Sequence, residues 1–301
     1  MNDQIRIVDK FEIQNPKFEI VFPTFDEYKS KMIGTLTKMK VTADSDSHRN
    51  AKVNYKLKLG EEMVEMNPLL NQQIQLKYTG RIFCISCGKQ TKKAFGQGFC
   101  YPCFMNSPDN AECIIKPELC RGHLGEGRDP EWEQAHHVQP HYVYLALSSG
   151  VKVGVTRNIQ VPTRWIDQGA SQAIILAETP YRQLAGEIEV FLKNFMPDKT
   201  NWQRMLKNEI APGIDMIDRK NAAADLLSDE LKKYVPIDNT VYSFEYPVIE
   251  FPTKVVSMNF EKMPTIEGVL KGIKGQYLLF DNGRVINLRN QSGYEIELNV
   301  G

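Results

Sequence analysis

Residues 84 to 103 read Cys84-Ile-Ser-Cys87, twelve intervening residues, then Cys100-Tyr-Pro-Cys103. Two Cys-x-x-Cys pairs at that separation constrain the fold more than any other stretch of the chain. Each pair forms a tight knuckle that turns two thiolates toward one ion. Two knuckles complete the four-sulfur tetrahedron that structural zinc prefers. Ordinary buried cysteines or two disulfides are the competing reading, and neither accounts for paired knuckles of this regularity. A closed shell of four thiolates has no position for water, so such a site holds the chain together and does no chemistry itself.

All six cysteines fall between Cys84 and Cys120, and four of them have zinc spacing. Thiols used this way fit a reducing environment, and the expected location is the cytoplasm. Met1-Asn-Asp-Gln-Ile-Arg lacks the apolar region of a signal peptide, and no apolar run approaches the roughly eighteen residues of a spanning helix. No membrane association is expected. With 301 residues, 42% of them apolar and 25% charged, the chain suits two domains or one core with insertions. The 37 basic and 37 acidic residues cancel. A dedicated nucleic-acid binder is usually basic overall, so any such function would rest on a local face.

A second cluster follows the first. Cys113, Cys120 and His123 are spaced Cys-x6-Cys-x2-His, and His136, His137 and His141 lie just beyond. Thiolates and neutral imidazoles are zinc ligands, so Cys113, Cys120, His123 and His137 are candidates for a second ion. The alternative is a free-thiol loop with surface histidines.

The ends of the chain read as β-structure. Gly34 to Val41 alternates, as do Val53, Tyr55, Leu57 and Leu59, and then Ile74, Leu76 and Tyr78. Residues 44 to 50 form a polar loop. Near the other end, Val241 to Phe260 holds two strands, Asp281-Asn282-Gly283 signals a hairpin, and Tyr294 to Val300 is a last strand. Sheets of two or three strands cannot bury a core alone. The two ends are therefore expected to form one discontinuous antiparallel β-barrel, 33–80 pairing with 241–301. The expected division is an N-terminal β segment 1–80, a zinc-binding region 81–140, a central module 141–207, a helical connection 208–240 and a C-terminal β segment 241–301.

The central module carries the chemistry. His141 to Leu147 is a strand, Ser148-Ser149-Gly150 a three-residue hairpin loop, and Val151 to Thr156 the return strand. That loop sets Leu147 opposite Val151 and Tyr144 opposite Gly154. Alternation puts Tyr142 and Tyr144 on one face with Lys152 and Gly154. A bare glycine opposite Tyr144 is expected to leave its phenol approachable. Pro162-Thr-Arg164-Trp starts a short helix, Ala173 to Ala177 is a third strand, and Thr179-Pro180 starts a helix with Leu184, Ile188, Phe191 and Phe195 as its apolar stripe. Glu187 and Glu189 flank that stripe on opposite edges. Residues 150 to 207 hold eight cations, among them Lys152, Arg157, Arg164 and Arg182, against five anions. Trp165 and Trp202 could stack bases or pack in the core.

This stretch resembles the GIY-YIG nuclease superfamily. Tyr142-Val-Tyr144 stands at the first motif and Lys152-Val-Gly154 at the second, with lysine where the motif has tyrosine. Arg164 matches the helix arginine, and Glu189 before Phe-Leu-Lys matches the metal-binding acid, with Glu187 as the competing acid. The resemblance covers about 65 residues. It implies that Tyr144 helps activate a water, Arg164 steadies phosphate charge, and Glu189 holds magnesium or manganese for phosphodiester hydrolysis in DNA or RNA. A non-catalytic nucleic-acid or protein interaction module and a purely structural zinc protein are the alternatives.

The whole chain also resembles an uncharacterised bacterial family of unknown function. The matching stretches include Cys-Ile-Ser-Cys-Gly-Lys-Gln-Thr-Lys-Lys, Gly-Phe-Cys-Tyr-Pro-Cys-Phe, Pro-Thr-Arg-Trp-Ile-Asp-Gln-Gly-Ala and Lys-Gly-Ile-Lys-Gly-Gln-Tyr-Leu. In that pattern further cysteines stand at the places of Gly127 and His137. The expected class is α+β: a zinc ribbon and a GIY-YIG-like α/β module between antiparallel β segments.

Overall fold

The computed structural model describes residues 32–44 and 48–301. The start of the 1–80 segment and the middle of the polar loop at 44–50 lie outside these. The fold is mixed α+β, with two sheets and short helices.

The N-terminal part supplies β1 (Met32–Thr35), β2 (Lys40–Ala43), β3 (Ala51–Leu59), β4 (Glu62–Glu65), β5 (Gln73–Phe83) and β6 (Gln90–Thr91). The cysteine-rich region holds α1 (Tyr101–Asn106), α2 (Glu112–Ile115) and α3 (Pro130–His137). Next come β7 (His141–Leu147), β8 (Val151–Arg157), α4 (Thr163–Asp167), β9 (Gln172–Thr179) and α5 (Arg182–Leu192). The connection holds α6 (Trp202–Leu206), α7 (Met216–Asp225) and α8 (Asp229–Lys232). The chain finishes with β10 (Tyr242–Glu245), β11 (Val256–Met258), β12 (Thr265–Lys274), β13 (Tyr277–Phe280), β14 (Arg284–Asn287) and β15 (Tyr294–Val300).

The first sheet runs β1-β15-β5-β12-β13-β14-β11, with β6 on β5, and forms a half-barrel. N- and C-terminal strands pair in it: Met32 faces Leu298, and Leu76 lies between Leu298 on β15 and Ile266 on β12. Closure into a barrel is the expectation that fails. Among the described residues no ladder joins β1 to β11, and β2 to β4 leave for the other sheet. That second sheet runs β2-β3-β10-β9-β7-β8, with β4 on β3. The central strands are thus extended by strands from both ends of the chain, through a parallel β3–β10 pair and an antiparallel β10–β9 pair.

Side-chain alternation decides the layers. Tyr144 and Ala146 of β7 face a core shared with Tyr55 and Leu57 of β3 and with Leu76, Leu270 and Ile296 of the first sheet. Val143, Leu145 and Leu147 face the other way, onto Ala185, Ile188 and Leu192 of α5 and Met216 and Ala223 of α7. A strand covered on both faces loses the apolar–polar alternation of a one-sided sheet, and β7 is buried at six of its seven positions.

The β7–β8 hairpin has the expected register, Leu147 opposite Val151 and Tyr144 opposite Gly154. The helix after β9 starts two residues later than Thr179-Pro180 suggests, with Tyr181 at its N-cap. Its stripe also turns: Ala185 and Leu192 are buried, whereas Phe191 and Phe195 are exposed and pack on each other at 5.5 Å. Trp165 is fully buried between Tyr144, Tyr242 and Phe244, and Trp202 stacks on Tyr277, so both serve packing.

Candidate functional site

The first cysteine cluster grows out of β5. Ile82 pairs with Thr91 and Phe83 with Gln90, so the ribbon continues the first sheet. The Cys84 amide donates to the Lys89 carbonyl and the Gly88 amide to the Cys84 carbonyl, both at 2.9 Å, which closes the first knuckle. Cys100 is the N-cap of α1, and Cys103 sits one turn along that helix. The Ile85 amide donates to Gly98 at 2.9 Å and ties the knuckles together. All four sulfurs lie within 4.8 Å of one another, Cys87 and Cys100 at 3.8 Å. A zinc tetrathiolate has sulfur–sulfur edges of about 3.8 Å, so the residues fit the ion. Burial raises the Cys84 thiol, but the backbone amides of Cys100, Cys87 and Ser86 outweigh it and bring the pKa to about 6, toward the thiolate a metal takes.

The second cluster forms with one member exchanged. Cys113, Cys120, Glu133 and His137 place their donor atoms within 4.8 Å of one another, all four buried. His123 does not join them. Its ring stacks on Tyr181 at 4.6 Å, and its Nδ1 has no hydrogen-bond partner among the described residues. Glu133 takes part because α3 begins at an Asp129 N-cap, whose side chain accepts from the Trp132 amide at 3.0 Å. From that start, Glu133 and His137 are one turn apart on one helix face. The Asp-Pro start followed by Glu-x3-His was the sequence signal for this pair. The neighbouring run of histidines offers the same ligand chemistry at similar spacing.

A cleft of about 360 Å³ lies between β8, α4, α5 and the cysteine-rich loops. It gathers Tyr144 and Lys152, which the hairpin register places on one face, with Arg164 and Glu189, which the resemblance adds to them. It also takes in Arg157 and Arg182 from the same module, and Lys38 and Arg289 from the two ends of the chain. No local motif could have brought in the last two. Six cationic side chains line it against the carboxylates of Asp109, Glu189 and Asp198.

Several of these cations are already engaged. Lys38 pairs with Asp167 at 2.8 Å, Arg289 donates to Gln97 at 2.7 Å, and Arg182 donates to the carbonyls of Cys113 and Ile114 at 2.9 Å. Lys152, Arg157 and Arg164 have no ion-pair partner within 4 Å among the described residues. Lys152 is only 6% exposed. Burial, with the nearby positive charge of Arg164, lowers its ammonium to a pKa of about 8, against the opposing pull of Asp198 and Glu189.

Tyr144 borders the cleft but is not the open phenol expected. It is 1% exposed, meets Trp165 edge-on at 5.9 Å and donates its hydroxyl to Gln168 at 3.1 Å. Burial raises the phenol's pKa, and the Arg164 charge pulls it back. Glu189 is buried and its carboxyl is raised by burial, against the charge of Lys193 at 3.3 Å. Glu187 points elsewhere, exposed and bonded to Gln183. Tyr142 lies outside the cleft, its phenol raised by burial and by the nearby Glu178. The β7–β9 register shifts by one β9 residue between Val143 and Tyr144.

No helix among the described residues is long and apolar enough to cross a membrane. No curated protein and no solved structure matches the chain. One family model, described as "Protein of unknown function (DUF2797)", matches residues 71–296, a span that takes in both cysteine clusters, every cleft residue but Lys38 and most of the half-barrel, and the chain belongs to that family.

Proposed function

We propose that the protein is a zinc-stabilised phosphodiester-binding protein whose cleft takes the backbone of DNA or RNA and, with magnesium or manganese on Glu189, hydrolyses it. In this reading residues 141–207 are a GIY-YIG-like module and the ribbon zinc is structural. The reducing cytoplasm is the setting in which its thiols serve as ligands. The observation that carries the reading is the meeting of Lys152, Arg157 and Arg164 in one cleft without carboxylate partners. A buried cation is costly unless something neutralises it, and a phosphate oxygen does so with charge-assisted hydrogen bonds. Arg164 presents the planar fork that suits such an oxygen. Glu189 supplies the hard oxygen ligand a magnesium ion needs, substrate phosphate and waters completing its shell.

The test is incubation of the purified protein with single- and double-stranded DNA and RNA in magnesium or manganese. Cleavage should require the divalent ion. Glu189→Gln should abolish cleavage and keep binding, and Arg164→Ala should slow it on the order of 10²-fold. Absence of both cutting and salt-sensitive binding on every substrate would sink the reading.

Two observations favour a second reading, a module that binds without cutting. Tyr144 is sealed against Gln168 and Trp165, and Glu189 is held by Lys193. Salt-sensitive binding with no cleavage in either metal is the outcome that selects it.

A further inference from the structure

We infer that Cys113, Cys120, Glu133 and His137 hold a second zinc ion, and that this ion fixes the wall of the cleft from which Arg182 projects. The inference does not depend on what the cleft binds.

The donor atoms already have the spacing of a coordination shell. Cys120 Sγ is 3.3 Å and Cys113 Sγ 4.0 Å from His137 Nδ1. Glu133 Oε2 is 3.8 Å from Cys113 Sγ and 3.6 Å from His137 Nδ1. Tetrahedral zinc with sulfur, nitrogen and oxygen ligands has edges of about 3.3–3.8 Å. The four donors come from three separate places: α2, the end of the Pro117–Leu119 turn, and successive turns of α3. Packing alone gives no reason to bury a carboxylate beside two thiols. Glu133 is 2% exposed, and a carboxylate buried without a cation carries a large desolvation cost. Its Oε1 accepts the Arg128 amide at 2.9 Å, which orients the group and leaves Oε2 facing the sulfurs and the imidazole.

Gly127 is the second observation. A Cβ built there would stand 2.3 to 2.5 Å from the carboxyl atoms of Glu133. The room that a side chain at 127 would need is the room the fourth ligand occupies. Zinc with two thiolates, one carboxylate and a neutral imidazole carries a net charge of about −1. The Arg182 guanidinium sits beside that charge, donating to the Cys113 and Ile114 carbonyls. Behind it, a Cβ on Gly186 of α5 would stand 2.2 Å from the Glu118 amide, so helix and loop touch backbone to backbone. The ion thus braces the loop on which Arg182 and α5 both rest.

The test uses the full-length protein as purified. Elemental analysis should give two zinc ions per chain, falling to one in Glu133→Gln and to one in Cys84→Ser with Cys87→Ser. His123→Ala should keep two. Because Glu133→Gln could fail to fold, X-ray absorption on the wild type gives an independent answer. The average zinc environment should hold three sulfurs and one nitrogen or oxygen, from one four-sulfur and one two-sulfur site. One zinc per chain in an all-sulfur environment would overturn the inference. So would two zinc ions kept in Glu133→Gln and lost from His123→Ala.

Discussion

The phenol of Tyr144 lies across Gly154, its partner on the neighbouring strand. A Cβ at 154 would stand 2.6 Å from the hydroxyl oxygen and 2.7 Å from Cζ. Both residues are buried and the hydroxyl is committed to Gln168. The glycine makes room for the ring; it does not open it to solvent.

Gly154→Ala should therefore push the ring off its place against Trp165 and break the Gln168 bond. Overpacking of this kind costs about 1–3 kcal/mol, readable as a shift in the urea midpoint. A change below about 0.5 kcal/mol, the scale of exposed substitutions, would contradict this packing.

The ribbon should unfold by itself when its metal is lost. Binding free energy is folding free energy in knuckles of this type, and of the ribbon's aliphatic side chains only Ala94, partly buried, packs on the core between the sheets. Cys84→Ser with Cys87→Ser should lose one zinc and the amide-exchange protection of residues 84–103. Protection of Leu76, Leu270 and Ile296 should remain. Unchanged protection across 84–103 would mean that the ribbon is held by something other than zinc.

How much of this was legible in the sequence depends on how local each signal is. The four ribbon cysteines and the Tyr144–Gly154 register were readable because spacing and loop length fix them within a few residues. The half-barrel pairing of the two ends was readable as a need, since neither set of strands could bury its face alone. Its failure to close was not, because β2 to β4 have an alternating pattern that serves either sheet. The sequence does not separate Glu133 from His123, because both lie at metal-site spacing from the cysteines, and only the start of α3 and the stacking of His123 on Tyr181 decide between them. The exposure of Tyr144 is not legible in the sequence, because a small partner residue predicts space without saying what fills it. Lys38 and Arg289 reach the cleft through the tertiary fold.

Arg157 and Arg164 test the phosphate reading by salt dependence. Neither has an ion pair among the described residues; Arg157→Ala should cost little stability, whereas Arg164→Ala also removes a hydrogen bond to the buried Tyr144 hydroxyl and should cost more. If both contact backbone phosphates, Arg157→Ala and Arg164→Ala should each lower the slope of log affinity against log salt by about 0.7–0.9 for a bound oligonucleotide. Slopes equal to the wild type in both variants would remove these arginines from the interface.

Lys152 gives the sharpest contrast between stability and binding. Its ammonium is lowered from 10.5 to about 8, chiefly by burial. In the unfolded chain the group keeps its ordinary pKa, so between pH 8 and 10.5 the unfolded state binds more protons than the folded one. Stability contributed at this site therefore rises with pH across that window, and below pH 8 the full cost of burying the charge is present. That cost is on the order of 3 kcal/mol. Lys152→Met fills a similar volume without the charge, so it should raise the unfolding midpoint at pH 7 and flatten the rise between pH 8 and 10.5. An anionic ligand acts in the opposite sense, because it favours the charged form. Affinity for an oligonucleotide should be full below pH 8, fall above it in the wild type, and become weaker and flatter with pH in Lys152→Met. Measuring urea midpoints and binding isotherms at pH 7, 8 and 9 for both proteins separates the two effects. A methionine variant that is less stable at pH 7, or that binds as tightly as the wild type, would show that the ammonium is held by partners within the fold and does not wait for a phosphate.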